Sequence, residues 1–229
     1  MTGSAIVVLA AGAGSRVGAE MNKVLLPLDG IPLLAHSVRT ALEVEDVHRI
    51  VVVVRPEDRD QVAAALAPYL GAHDVWLVDG GAERHDSETR ALEALRPDIE
   101  SGEIGVVAIH DGARPLASAA LFRTAIDVAQ QHGAAVPALG ATGLVALDGA
   151  PVAGDLVGVQ TPQAFRAPEL LTAYSLAATD GFVGTDTAAC LERYTDVAIH
   201  AVDGEAANLK VTFPEDLALA TELVTSANG

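Results

Sequence analysis

Ala5-Ile6-Val7-Val8-Leu9-Ala10-Ala11-Gly12-Ala13-Gly14-Ser15-Arg16 is the stretch that decides the fold. Five apolar residues, too few for a helix and rich in β-branched side chains, run straight into a loop of small residues. A strand with no wet face belongs inside a parallel sheet, where helices cover both sides. Outward from it the rhythm repeats. Strands are expected at Ile50–Val54, Val75–Val78, Val106–Ile109, Ala134–Ala138 and Ala198–Val202. Helical patterns fall at Pro32–Leu42, Glu57–Leu70, Glu83–Leu95, Ser118–His132, Pro168–Ala177 and Thr187–Tyr194, with a closing helix from Pro214. This alternation predicts an α/β protein with a single doubly wound, mostly parallel sheet.

After Ala138 the pattern changes. Leu144–Leu147, the turn pair Asp148-Gly149 and the run from Val152 read as a β-hairpin, because Asp-Gly favours a tight primed turn. Its apolar side chains need cover, either from a second copy of the chain or from its own domain. No linker or repeat divides the sequence, so residues 1–229 read as one domain with a hairpin arm at about 139–158.

Composition narrows the function. A net charge of -17 disfavours nucleic acid and anionic membranes as partners. A phosphorylated small molecule remains admissible, since a few cations make a local positive pocket. Cys190 stands alone, which excludes a disulfide framework and a Cys-based metal site. No signal-peptide pattern and no apolar run of about 18 residues is present, so the expected compartment is the cytoplasm. The histidines lack metal-ligand spacing, and a zinc site is not expected.

Two lysines, Lys23 and Lys210, stand against twelve arginines. Lys is a compact point charge and Arg a broad fork, so Lys is the cation for a crowded anionic site. Lys23 follows the glycine loop, whose exposed N–H groups suit phosphate oxygens, and Arg16 rises from the same loop. The loop is not a Walker sequence, and its spacing misses the dinucleotide fingerprint; Arg55 leaves an NADP reading open. In doubly wound sheets ligands bind beyond the carboxyl ends of the strands. Gly12–Lys23, Gly80–Ser87 and His110–Arg114 all fall at those ends and should converge.

Leu9-Ala10-Ala11-Gly12-x-Gly14-x-Arg16-x-Gly18 followed by Asn22-Lys23 resembles the signature of sugar-nucleotide and polyol-phosphate nucleotidyltransferases. Further motifs narrow the resemblance. They are Gly80-Gly81-x-x-Arg84-x-x-Ser87, His110-Asp111-Gly112-Ala113-Arg114-Pro115, Gln160-Thr161-Pro162-Gln163-x-Phe165, Thr185-Asp186 and Asn208-x-Lys210-Val211-Thr212-x-Pro214-Glu215-Asp216-Leu217. Together they are similar to the 2-C-methyl-D-erythritol 4-phosphate cytidylyltransferase family, which uses CTP in the non-mevalonate isoprenoid pathway. Ribitol 5-phosphate cytidylyltransferases share most of them.

The resemblance implies the roles. Ala10, Ala11, Gly12, Ala13 and Gly14 would wrap the CTP phosphates, and Gly81 and Ser87 would contact the cytidine. Arg16 and Lys23, with Lys210 opposite, would carry catalysis by neutralising charge at the α-phosphorus. Asp111 and Arg114 would orient the acceptor. Mg2+ would be held mainly by the CTP phosphates, without a dedicated protein metal site, and a homodimer would form through the arm. A non-catalytic CTP-binding protein is the distant alternative.

Two departures from the family pattern touch the acceptor half. Members usually carry Asp-Thr at the base of the hairpin, where this chain has Gly143-Leu144 with Thr142 close by as a substitute. They also tend to carry an Arg in the return strand, which here reads Pro151-Val152-Ala153-Gly154-Asp155. One lost charge-assisted phosphate contact costs roughly 1.5–3 kcal/mol. Smaller differences are Asn22 where proline is common and Thr187 where an acid often follows Asp186.

Overall fold

The computed structural model describes residues 2–12, 22–142, 154 and 156–227. Strand β1 (Gly3–Leu9) leads, past Lys23, to a short antiparallel pair, β2 (Pro27–Leu28) and β3 (Ile31–Pro32). Then come α1 (Leu33–Leu42), β4 (Val47–Val54), α2 (Arg59–Leu70), β5 (Val75–Asp79), α3 (Arg84–Glu100), β6 (Ile104–Asp111) and α4 (Ala119–His132). The second half holds β7 (Ala134–Gly140), β8 (Val157–Val159), β9 (Gln163–Arg166), α5 (Ala167–Asp180), α6 (Thr187–Tyr194), β10 (Ile199–Asp203) and α7 (Pro214–Ala227).

The main sheet runs β10-β7-β9-β6-β1-β4-β5, with β8 paired to β7. β1 is central and parallel to both β4 and β6, so the sheet is doubly wound and mostly parallel, as its sequence predicts. Alternation along β1 feeds two cores. Ile6 and Val8 pack with α1, α2 and α4 through Leu34, Val38, Val62, Leu66, Phe122 and Ala125. Ala5 and Val7 face α3, α5 and α6 through Leu92, Leu95, Leu170, Tyr174 and Leu191. A small third core joins Leu28 and Leu33 to Val211 and Ala220 of the closing segment. It anchors the chain neighbourhoods of both lysines to the same apolar cluster.

Several elements exceed or escape the sequence reading. α3 continues past Leu95 to Glu100, with Pro97 inside its last turns. There Arg96 reaches both Glu93 and Glu100 across neighbouring turns, the spacing that supports a helix surface. β9 occupies what reads as a turn and its sequel, and it runs antiparallel to both β6 and β7. The hairpin base pairs Ala138 with Val159 and Gly140 with Val157, outside the Leu144–Leu147 arm expected from sequence. The Asp148-Gly149 turn lies outside the described residues.

Phe165 on β9 is fully buried where β6, β7 and α5 meet. Phe165→Ala is expected to lower unfolding free energy by about 3–5 kcal/mol, read as a lower urea midpoint.

Candidate active site

At the carboxyl ends of the parallel strands lies a cavity of about 810 Å³. Its walls include Ala11 and Gly12 after β1, Gly80, Gly81 and Ser87 around the start of α3, Asp111 and Ala113 after β6, and both Lys23 and Lys210. The three loops expected to converge do so. A larger hollow of about 990 Å³ opens at the opposite, amino-terminal edge, between Ser4, Asp46, His48, Glu103 and Arg123. Neither lysine lines it, so chemistry favours the smaller one.

Local packing explains the convergence. Asn22 accepts from the Val24 N–H and donates to the Ala10 carbonyl and, at 2.7 Å, to Asp58. These bonds fix the short turn Lys23–Leu25 against the end of β1. Lys23 Nζ then donates to the Val211 carbonyl at 3.1 Å, directly beside Lys210. Gly80 and Gly81 have no room for a side chain. A Cβ on Gly81 would lie 2.1 Å from Cβ of Asp86, and one on Gly80 2.6 Å from Cβ of Ala11. The Gly81 N–H donates to Ser87 Oγ, which in turn donates to the Glu83 carbonyl, so turn and helix start form one unit.

The segment carrying Lys210 is positioned by a buried amide network. Asn208, fully buried, donates to the Gln160 side-chain oxygen and the Thr161 carbonyl, while Gln160 donates to the Glu205 carbonyl. Asp216 at the start of α7 accepts from the Thr212 and Phe213 N–H groups. Sequence reading treated Gln160 and Asn208 as family motif residues without a task. Their task here is to place Lys210.

Asp111 sits among cations. Arg84 donates to one carboxylate oxygen, Lys210 pairs with the other at 2.9 Å, and Arg114 approaches it at 3.6 Å. Burial opposes ionisation of Asp111, but the Arg84 and Lys210 charges outweigh it and hold the carboxyl well below the usual range. Arg114 turns its guanidinium inward and donates to the Asn208 carbonyl at 2.7 Å. Ala10 is buried under the cavity. Thr142 is exposed past the hairpin base and does not line the cavity. Arg16, Ala13 and Gly14 lie outside the described residues.

His110 behaves differently from its neighbour. It is wholly buried, with Nε2 at 3.1 Å from the Arg114 carbonyl and Nδ1 at 3.1 Å from Thr161 Oγ1. A carbonyl only accepts, so the ring proton sits on Nε2. Thr161 donates to Nδ1 while accepting from the Asp111 N–H. Burial pushes the pKa down to about 4, and the nearby Asp111 charge only partly offsets this.

Elsewhere, His48, Asp98 and Glu103 bring ligand-type atoms within 4.8 Å of one another at the amino-terminal edge. There His48 contacts Glu103 at 3.1 Å and Arg49 pairs with Asp98 at 2.9 Å, so these atoms already have protein partners.

A doubly wound sheet with Ala11 and Gly12 after its central strand, a helix start and two lysines around one cavity defines the nucleotidyltransferase class. The profile of the 2-C-methyl-D-erythritol 4-phosphate cytidylyltransferase family matches residues 4–226. A protein of that description from Geobacillus thermodenitrificans is 38% identical over 226 residues, covering 96% of each chain. One from Geotalea uraniireducens is 36% identical, covering 97% of each. The crystal structure of 4-diphosphocytidyl-2C-methyl-D-erythritol synthase from Anaerococcus prevotii superposes with a TM-score of 0.84 at 26% identity, covering 98% of this chain and 96% of that one. The Thermus thermophilus cytidylyltransferase gives 0.74 at 28% identity, covering 98% of this chain and all of its own. The chain belongs to the 2-C-methyl-D-erythritol 4-phosphate cytidylyltransferase family, which sets aside the dinucleotide reading.

The His110 shift fixes a pH dependence. The folded pKa lies near 4 against an ordinary value of 6.5, so below pH 6.5 the unfolded chain takes up the proton first. Stability from this group is full above that point and falls by about 3 kcal/mol down to about pH 4. Chemical denaturation across this window is expected to show the loss, and His110→Gln to flatten it whatever its own plateau.

Proposed function

We propose that the chain joins CTP and 2-C-methyl-D-erythritol 4-phosphate, releasing pyrophosphate and the CDP-polyol of the non-mevalonate pathway. The observation that carries this reading is the meeting of Lys23, Lys210, the Gly80-Gly81 turn and a cation-bound Asp111 around one cavity. An acceptor phosphate oxygen attacks the α-phosphorus of CTP, the bond to the bridging oxygen breaks, and pyrophosphate leaves with that electron pair. Two polyanions must meet, so positioning and charge neutralisation supply catalysis, and no covalent nucleophile is needed.

In this reading Arg16 and Lys23 neutralise charge at the α-phosphoryl group, with Lys210 on the opposite side. Ala10 to Gly14 wrap the phosphates, and Gly81 and Ser87 meet the cytidine. Asp111 accepts from acceptor hydroxyls, Arg114 braces the acceptor side, and Thr142 reaches an acceptor from the arm of a second subunit. Arg84, Lys210 and Arg114 already surround the Asp111 carboxylate with positive charge, so the donor set suits Mg2+ held by phosphate oxygens rather than by a protein cage. Bound there, the ion would draw charge from the phosphates.

A single 1–229 domain acting as a homodimer fits the arm. Val157 and Val159 are 53% and 51% exposed and point to the same side of β8, where a second copy would cover them. Among the described residues no helix is long and apolar enough to cross a membrane. A cytoplasmic setting suits its phosphorylated substrates.

Pyrophosphate release with CTP, Mg2+ and methylerythritol 4-phosphate, but not with ribitol 5-phosphate or without acceptor, is the expected result. Release with ribitol 5-phosphate alone would reassign the acceptor, and CTP binding without any release would make the chain a binding protein. Lys23→Ala is expected to lower kcat by about a hundredfold or more while CTP affinity falls about tenfold or less. Equal losses in both would remove Lys23 from the transition state.

A further inference from the structure

Beside the cavity lies a buried carboxylate to which the phosphoryl-transfer reading gives no task. Glu88 is 1% exposed in the middle of the protein's second core. Burial raises the Glu88 pKa, and the Arg84 charge with the hydrogen bonds from Tyr174 and Thr187 opposes that rise, so each oxygen has a partner that favours the carboxylate. Thr187 donates to Oε1 at 2.7 Å, and Tyr174 donates to Oε2. Arg84, one helical turn earlier on α3, brings Nε to 2.9 Å of Oε1. The His85 ring stacks on Tyr174 with centroids 4.7 Å apart, holding the phenol in place.

Arg84 has two ends. Its Nε edge meets Glu88, and its Nη1 reaches Asp111 in the cavity wall. The Nε–Glu88 contact is an ion pair without hydrogen-bond alignment, so Glu88 holds this planar fork by charge while Nη1 makes the directed bond to Asp111. Arg84 pays a burial cost that would lower its pKa, yet Asp111 and Glu88 together raise it above the ordinary value. Without Glu88 the guanidinium keeps only Asp111 as an anionic partner. Asp111 would then face three cations, Arg84, Lys210 and Arg114, with no second anion to share them.

We infer that Glu88, held by Tyr174 and Thr187, is a positioning residue that aims Arg84 at Asp111 and so sets the acceptor side of the site. Charge and direction reach the cavity wall along a line running from the α5 and α6 side of the core to β6. Glu88 and Tyr174 do not line the cavity, and neither does Thr187. Their effect is therefore expected on the acceptor, which Asp111 meets, and not on CTP, which the glycine turns and lysines meet. The inference rests on the assignment of Asp111 to the acceptor.

The test is steady-state kinetics with each substrate varied in turn, for the wild type, Glu88→Gln, Tyr174→Phe and Asp111→Asn. Glu88→Gln keeps the shape and removes the charge. It is expected to lower kcat/KM for the acceptor about tenfold or more while KM for CTP stays within about twofold, the loss of one charge-assisted contact acting at one substrate. Tyr174→Phe removes a single hydrogen bond to Glu88, and should shift the same parameter in the same direction by a smaller factor. It also carries the test if Glu88→Gln fails to fold. Asp111→Asn separates the two levels. No acceptor effect from Asp111→Asn would overturn the assignment of Asp111 and the inference with it. An acceptor effect from Asp111→Asn, with Glu88→Gln and Tyr174→Phe changing both substrates alike or only the melting temperature, would overturn the inference alone.

Discussion

The carboxylate of Asp111 ties three separately folded segments together. It ends β6, pairs with Lys210 from the segment before α7, and receives Arg84 from the first turn of α3. Neither partner is near it in sequence; without it Lys210 would lose this ion pair and Arg84 would keep only Glu88. Burying an ion is tolerable only when its partners are close and well directed. The carboxylate therefore constrains where helix α3 starts, how deeply the closing segment docks, and how wide the cavity stands between them.

The two lysines depend on the same economy of anchoring. Neither is placed by its own side chain alone. Lys23 is set by Asn22 and its bonds to Ala10 and Asp58, Lys210 by Asn208 and the buried Val211. The polar side chains do the aiming and the third small core supplies the cohesion. Such a division of labour keeps the cations exposed to a ligand while their backbones stay fixed.

Much of this was legible beforehand, for physical reasons. β1, β4 and β6 are apolar on both faces, which only a covered parallel sheet accommodates. The glycine turns and the two lysines carry residue types that few other roles require. β9 was not legible as a strand, because Gln163 and Arg166 at its ends break any apolar pattern and its partner β6 lies far back in the chain, with α4, β7 and β8 between. The end of α3 was misjudged because Pro97 is a stop signal in a window, yet side chains one turn apart keep the helix going. Arg84 was seen as a motif letter without a role. Its partner Glu88 gave no signal, since Tyr174 and Thr187 lie 86 and 99 residues away. An acid in an amphipathic helix reads as solvent-facing until the neighbours from other helices are known.

The hairpin leaves the sheet and returns to it on a single ladder. Gly140 faces Val157, and by Gln160 the chain is back on the sheet, its N–H on the Pro137 carbonyl and its side chain locked to Asn208. The ladder and the Gln160–Asn208 bond form the joint between the arm's base and the segment that carries Lys210. Among the described residues, changes in the arm reach the nucleotide end of the cavity through that joint. An architecture of that kind is modular: a lineage can rewrite its arm while the machinery that grips the nucleotide is inherited intact.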